Sequence, residues 1–175
     1  MPPSILVAYV SRYGSTGEVA EAVGNALREA GLQVKIARVQ DPLLVGDYSA
    51  VILGGALYMG RLPGEFHHFL AQNRHVLSTL RPWFFVLGPL GTEAKDFDAA
   101  RKQAEKQLAK HSWLKPAELQ IFGGRLDMRT LRFPFSLLRH MPAFREQAKC
   151  AMDVRDWEAI RGWAAGIARQ LRTAA

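Results

Sequence analysis

Residues 11–16 read Ser-Arg-Tyr-Gly-Ser-Thr, three hydroxyls set around one glycine directly after a short apolar run. That run, Ile5 to Val10, has the character of a buried strand. Val19, Val23, Ala26, Leu27 and Ala30 then recur on one helical face until Gly31. The hexapeptide therefore joins a strand to a helix start, where outward N–H groups and the positive end of the helix dipole favour a phosphate. Gly14 permits a turn closed to other residues, and Ser11, Ser15 and Thr16 add donors without a lysine. Ser15 and Glu18 also have capping-box spacing, but capping accounts for one hydroxyl rather than three. No G-x-G-x-x-G follows a strand, and Gly55 to Gly60 continues as Arg61-Leu62 where an ATP-binding loop needs Lys and Ser or Thr. The loop thus suits one terminal phosphate.

Two further loops have the composition of a ligand site. Gly54-Gly55-Ala56-Leu57-Tyr58-Met59-Gly60 follows the apolar run Ala50 to Leu53, and Tyr58 is a large aromatic flanked by glycines at a loop tip. Gly88-Pro89-Leu90-Gly91-Thr92 follows a strand at Trp83 to Leu87. Other chemistries find less support. His67, His68 and His75 lack a neighbouring Cys, and adjacent histidines on a helix point about 100° apart, so no metal is expected. Neither a Ser-His-Asp nor a Cys-His arrangement is evident, and no catalytic acid or base can be named. The hard chemistry is expected to come from a cofactor.

The elements that would position these loops alternate. Strands are expected at Ile5 to Val10, Val34 to Val39, Ala50 to Leu53, Trp83 to Leu87 and Leu119 to Phe122. Between them fall helices: one after Ser15, one from Pro63 with Phe66, Phe69, Leu70 and Leu77 on a single face, and one with Phe97, Ala100, Ala104 and Leu108. A last helix carries Trp157, Ile160, Ala164, Ile167, Ala168 and Leu171, with Asp153 as its expected cap. This order implies an α/β fold, a doubly wound five-stranded parallel sheet with helices on both faces. Ligands then bind at the carboxyl ends of the strands, where all three loops lie.

The 175 residues, with 49% hydrophobic and 22% charged side chains, fit a single domain spanning 1–175. The only cysteine, Cys150, allows no internal disulfide, which fits a reducing cytoplasm. Met1-Pro2-Pro3-Ser4 and the run after it do not make a signal peptide or a spanning helix. Net charge is +7, and between residues 125 and 149 six cations face two carboxylates, so four of those seven charges fall there. The same segment carries Leu131, Phe133, Phe135, Leu137, Leu138, Met141 and Phe144, with Pro134 and Pro142 confining any helix to its middle. Such a surface favours anionic partners: lipid headgroups, nucleic acid or carboxylate-bearing substrates. One reading is a packed excursion with solvated arginines; the other is a flap facing a substrate or an anionic membrane.

The loop Ser11-Arg12-Tyr13-Gly14-Ser15-Thr16 resembles the phosphate loop of the flavodoxin family, with Tyr13 departing from the pattern at the third place. The resemblance spans essentially the whole chain. It implies a flavodoxin-like fold and FMN, bound by Ser11, Arg12, Tyr13, Gly14, Ser15 and Thr16, by Leu57, Tyr58, Met59 and Gly60 against the flavin ring, and by Pro89, Leu90, Gly91 and Thr92 over its other face. An offset-stacked aromatic, here Tyr58, and glycines beside the ring suit a planar flavin. A finer similarity is to the FMN-dependent, quinone-linked protoporphyrinogen dehydrogenases of bacteria, carried by Gly54 to Arg61, by Gly123-Gly124-Arg125-Leu126 onward, and by Asp156-Trp157-Glu158. This implies oxidation of protoporphyrinogen with electrons passed to a quinone. The alternatives are an NAD(P)H-dependent quinone reductase, an electron carrier and a flavin-free binding module, although the basic surface argues against a carrier steered to basic partners. Quinone and a small reduced substrate are the expected partners, no specific nucleic acid is expected, and an oligomer is allowed. The expected location is cytoplasmic, with peripheral contact at the inner membrane face through 125–149. Arg129, Arg132 and Arg139 lie outside all three loops and are expected not to matter to the cofactor.

Overall fold

A computed structural model describes residues 4–133, 135–142 and 151–173. Pro134, Phe144, Arg145, Glu146, Lys149 and Cys150, all singled out in the sequence, lie outside the described residues, as do Met1 to Pro3.

Strand β1 (Ser4–Tyr9) runs into helix α1 (Ser15–Glu29), followed by β2 (Gln33–Arg38), β3 (Ala50–Ala56), α2 (Gly64–Gln72), α3 (Arg74–Leu80), β4 (Trp83–Leu87), α4 (Ala94–Leu108) and β5 (Glu118–Phe122). These five strands form one parallel sheet in the order β2-β1-β3-β4-β5. Alternation along β1 builds two cores. Ile5 and Val7 pack with Val19, Val23 and Leu27 of α1 and with Ile160, Ala164 and Ile167 of α5 (Trp157–Thr173). Leu6 and Ala8 face Phe66, Leu70, Leu77, Ala100 and Ala104 on α2, α3 and α4. All are buried, as expected for a sheet covered on both sides.

Because β2 lies on one side of β1 and β3 on the other, the winding reverses between β1 and β3, and a crevice opens at their carboxyl ends. Main-chain bonds extend the sheet past the strand ends and hold the loops side by side: Val10 donates to Gly54, Leu57 to Leu87, Gly88 to Phe122 and Gly124 to Pro89, all at 2.8–3.1 Å.

Several local expectations are corrected. The helix read from Pro63 to Leu77 is two, divided at Asn73, whose side-chain amide donates to the Phe69 carbonyl at 2.9 Å while its own carbonyl accepts from Leu77. The cap of α5 is Asp156, which accepts from the Ala159 N–H at 2.9 Å. Asp153 is instead occupied by Arg155. A two-stranded antiparallel ribbon, β6 (Arg125–Leu126) with β7 (Met152–Asp153), was not anticipated. Between its strands the chain makes a short 3₁₀ helix, Phe135–His140.

Candidate functional site

The residue 11–16 loop takes the predicted form without the predicted capping box. Gly14 is left-handed at φ 92° and forms the N-cap of α1 with no side-chain cap. Its N–H donates to the Ser11 hydroxyl at 3.0 Å. Glu18, free of any capping duty, binds Arg125 at 3.1 Å and Arg155 at 2.8 Å. Thr16 is fully buried, and its hydroxyl oxygen has no partner among the described residues. A buried polar atom left unsatisfied costs about 1–3 kcal/mol unless something else bonds it.

In the second loop, Tyr58 and Arg61 exchange main-chain hydrogen bonds at 2.9 and 3.0 Å around Met59 and Gly60. Both central residues have positive φ, 49° and 75°, which defines a tight turn of the primed type. Glycine adopts this freely. Methionine does not, and the turn thrusts its side chain outward, 85% exposed. Tyr58 is half-buried because the protein covers part of it: the Arg12 guanidinium lies over its ring at 5.1 Å, and Tyr13 meets it edge-on at 6.0 Å. Burial is the larger influence on its phenol and raises the pKa against the opposing effect of Arg12.

Two spaces meet at Arg12 and Tyr13. One is an apolar cavity of about 320 Å³ lined by Arg12, Tyr13, Ser15, Leu57, Tyr58, Met59 and Leu90, roofed by Leu126, Met128, Leu131 and Leu138 of the basic segment. The other is a polar cleft of about 540 Å³ formed by Ser11, Arg12, Tyr13, Gly14, Arg38, Glu65, Arg132 and Phe133. Gly60, Pro89 and Gly91 line a shallower neighbouring cleft with Leu57, Met59 and Leu90. Thr92 is exposed and lines none of the three.

The sequence left the basic segment open as packing or as a substrate-facing flap and set Arg129, Arg132 and Arg139 outside the three loops; in the structure part of the segment borders both spaces. Arg132 lines the cleft with Ser11 and Gly14, while four apolar residues of the segment line the cavity. Alternation of Leu126 and Met128 around Asp127 was the available signal. Arg129 chelates Asp127 at 2.9 Å through two nitrogens, holding that carboxyl at a pKa of about 2. The segment is fastened at its base by Arg155. Its side chain is 3% exposed, and it binds Asp153 at 2.6 and 2.8 Å, Glu18, and the Ser15 carbonyl at 3.3 Å, over the Trp157 ring.

The histidines lie elsewhere. His67 Nδ1 is 3.0 Å from His111 Nε2, and its Nε2 is 3.3 Å from Gln107 Oε1. Burial lowers the pKa of both rings. His68 and His75 are exposed. No group of three or more His, Cys, Asp or Glu that could hold a metal occurs among the described residues.

The family model described as flavodoxin domain matches residues 6–136. The chain is 23% identical over 171 residues to protoporphyrinogen IX dehydrogenase [quinone] of Escherichia coli strain K12, covering 93% of each chain. Over 90 residues it is 32% identical to an NAD(P)H dehydrogenase (quinone) of Methylocella silvestris, covering 39% of this chain and 45% of the relative. Among solved structures, a flavodoxin from the domain Archaea superposes with TM-score 0.58 at 15% identity, covering 97% of this chain and 99% of that one. Oxidised flavodoxin 1 of Bacillus cereus gives 0.58 at 16%, covering 95% and 97%. These structural likenesses establish the fold.

Proposed function

Since the chain belongs to the flavodoxin domain family and is a flavodoxin-like oxidoreductase with FMN as its cofactor, we propose that it oxidises protoporphyrinogen and passes the electrons to a quinone. The observation that carries this reading is the similarity to the protoporphyrinogen dehydrogenase over 93% of both chains, which includes the segment that roofs the cavity.

The residues present fit FMN. The unpartnered Thr16 hydroxyl, the left-handed Gly14 and the free N–H groups of a helix start make up a donor set suited to its phosphate, with Ser11 and Ser15 beside it. The apolar cavity suits its ring, with Tyr58 against one side and Leu57, Met59 and Leu90 around it. Pro89, Gly91 and Thr92 would serve the ring less directly, by holding the third loop.

When bound, FMN supplies hydride or single-electron transfer. The protein's part is to orient and to exclude water. Among the described residues the titratable groups lining the cavity are Arg12, Tyr13, Tyr58 and Arg125. The raised pKa keeps the Tyr58 phenol protonated, able to donate a hydrogen bond but not to act as a base near neutrality. Leu126, Met128, Leu131 and Leu138 would keep water from the ring and present an apolar wall to a lipid-soluble acceptor.

The outer side of the same segment supports a membrane-facing role. Leu137 and Met141 are 57% and 48% exposed on a segment of net positive charge, a composition suited to an anionic bilayer surface. No helix among the described residues is long and apolar enough to cross a membrane. A second reading, NAD(P)H-dependent quinone reduction, is favoured by the Methylocella silvestris relative.

The test is anaerobic turnover by the FMN-loaded protein. Loss of protoporphyrinogen coupled to quinone reduction is expected, with little NADPH consumption. Steady NADPH oxidation without porphyrinogen turnover would replace the first reading with the second.

A further inference from the structure

The polar cleft draws its charges from three separated parts of the chain: Arg12 in the first loop, Arg38 at the end of β2 and Arg132 in the basic segment. Against these three guanidinium groups it holds one carboxylate, Glu65, which lies 3.9 Å from Arg12. Two positive charges remain in excess beside the loop that carries the orphaned Thr16 hydroxyl. A phosphate monoester near neutrality carries about −1.5 to −2, which matches that excess.

Of the three arginines only Arg132 belongs to the segment that roofs the cavity. That segment is fixed at its base by the β6–β7 ribbon and by Arg125 and Arg155 on Glu18, with residues 131–138 lying between the two ribbon strands. Near its middle, Leu131 lines the apolar cavity and the adjacent Arg132 lines the polar cleft. We propose that Arg132 bonds the FMN phosphate from outside the residue 11–16 loop, so that the cofactor's charge latches the 126–141 segment down over its ring. The latch rests on the FMN site proposed above. An Arg is suited to this task because its planar fork can grip phosphate with two N–H groups at once.

The test compares FMN with riboflavin, which has the ring but lacks the phosphate. Flavin-free full-length protein and its Arg132→Gln and Arg132→Lys variants are titrated by flavin fluorescence, and amide hydrogen exchange is followed across residues 126–141. Arg132→Gln should lose about tenfold in FMN affinity and keep riboflavin affinity within about twofold, with Arg132→Lys between. FMN should slow exchange in the segment more than riboflavin does in the parent, and no more than riboflavin in Arg132→Gln. Equal losses of both flavins, or no loss of either, would overturn the latch. So would recovery of full protection by riboflavin with inorganic phosphate, since a free anion and not the cofactor would then be the group read. A parent protein that binds neither flavin would instead remove the cofactor site itself.

Discussion

The apolar cavity and the polar cleft share Arg12 and Tyr13 and differ in almost everything else. Leucines and methionines dominate one, while arginines and hydroxyls line the other. Two such spaces side by side call for a ligand with a flat apolar end and an anionic end, and each should respond to a different part of it. Substitutions that separate FMN from riboflavin therefore report on the cleft, and those that do not report on the cavity.

The largest separation is expected from Gly14→Val. A Cβ there would meet nothing within 4 Å, so the effect is chiefly conformational. Holding valine at φ 92° costs about 1–3 kcal/mol, and relaxing it swings the loop's N–H groups away. Fluorescence titration should show FMN affinity falling roughly 100-fold, with riboflavin much less affected. An equal loss of both flavins would remove the phosphate assignment. Thr16→Val should come next, with about 1.5–3 kcal/mol of FMN binding lost. Its signature is an opposite effect on the flavin-free protein, whose thermal midpoint should rise because an unsatisfied buried hydroxyl is gone. Tyr58→Ala should weaken both flavins by about 1 kcal/mol, since its own place is in the cavity for the ring they share.

The smallest effect should come from outside both spaces. His67 and His111 have pKa values held below their ordinary 6.5, chiefly by burial. Below that pH the unfolded chain takes up protons that the folded one resists, so their contribution is complete above about 6.5 and is lost as the pH falls toward the lowered values. The urea midpoint of the flavin-free protein should drop slightly between about pH 7.5 and 5.5, and less in His67→Gln. At each pH the ratio of FMN to riboflavin affinity should be the same in His67→Gln as in the parent, since the pair lies outside both spaces.

What could be read in the sequence depended on how far apart the cooperating residues lie. The strand, turn and helix around Gly14 are contiguous, and the alternating elements imply a parallel, doubly wound sheet though not the order of its strands. Asp153 and Glu18 were misread as helix caps because their real partners are not helical amides. Asp153 is taken by Arg155, and Glu18 by arginines 107 and 137 residues away. Leu131 and Leu138 of the cavity's roof belong to the segment that could be read as a flap, whereas Leu126 and Met128 gain their place once β6 pairs with β7. Tyr58 was singled out as a ring-stacking residue and lines the cavity, but nothing local showed that Arg12 would lie over its ring.

The Arg155 guanidinium, almost wholly buried, reaches the Ser15 carbonyl and the Glu18 carboxylate at the very start of α1. During synthesis the residue 11–16 loop emerges 140 residues ahead of its supporting contact. A ribosome-bound chain halted before residue 155 would have its first strand and helix available and the seat beneath them unfinished. Cofactor capture is therefore expected only once α5 has been made and docks on α1, rather than at the moment the loop appears.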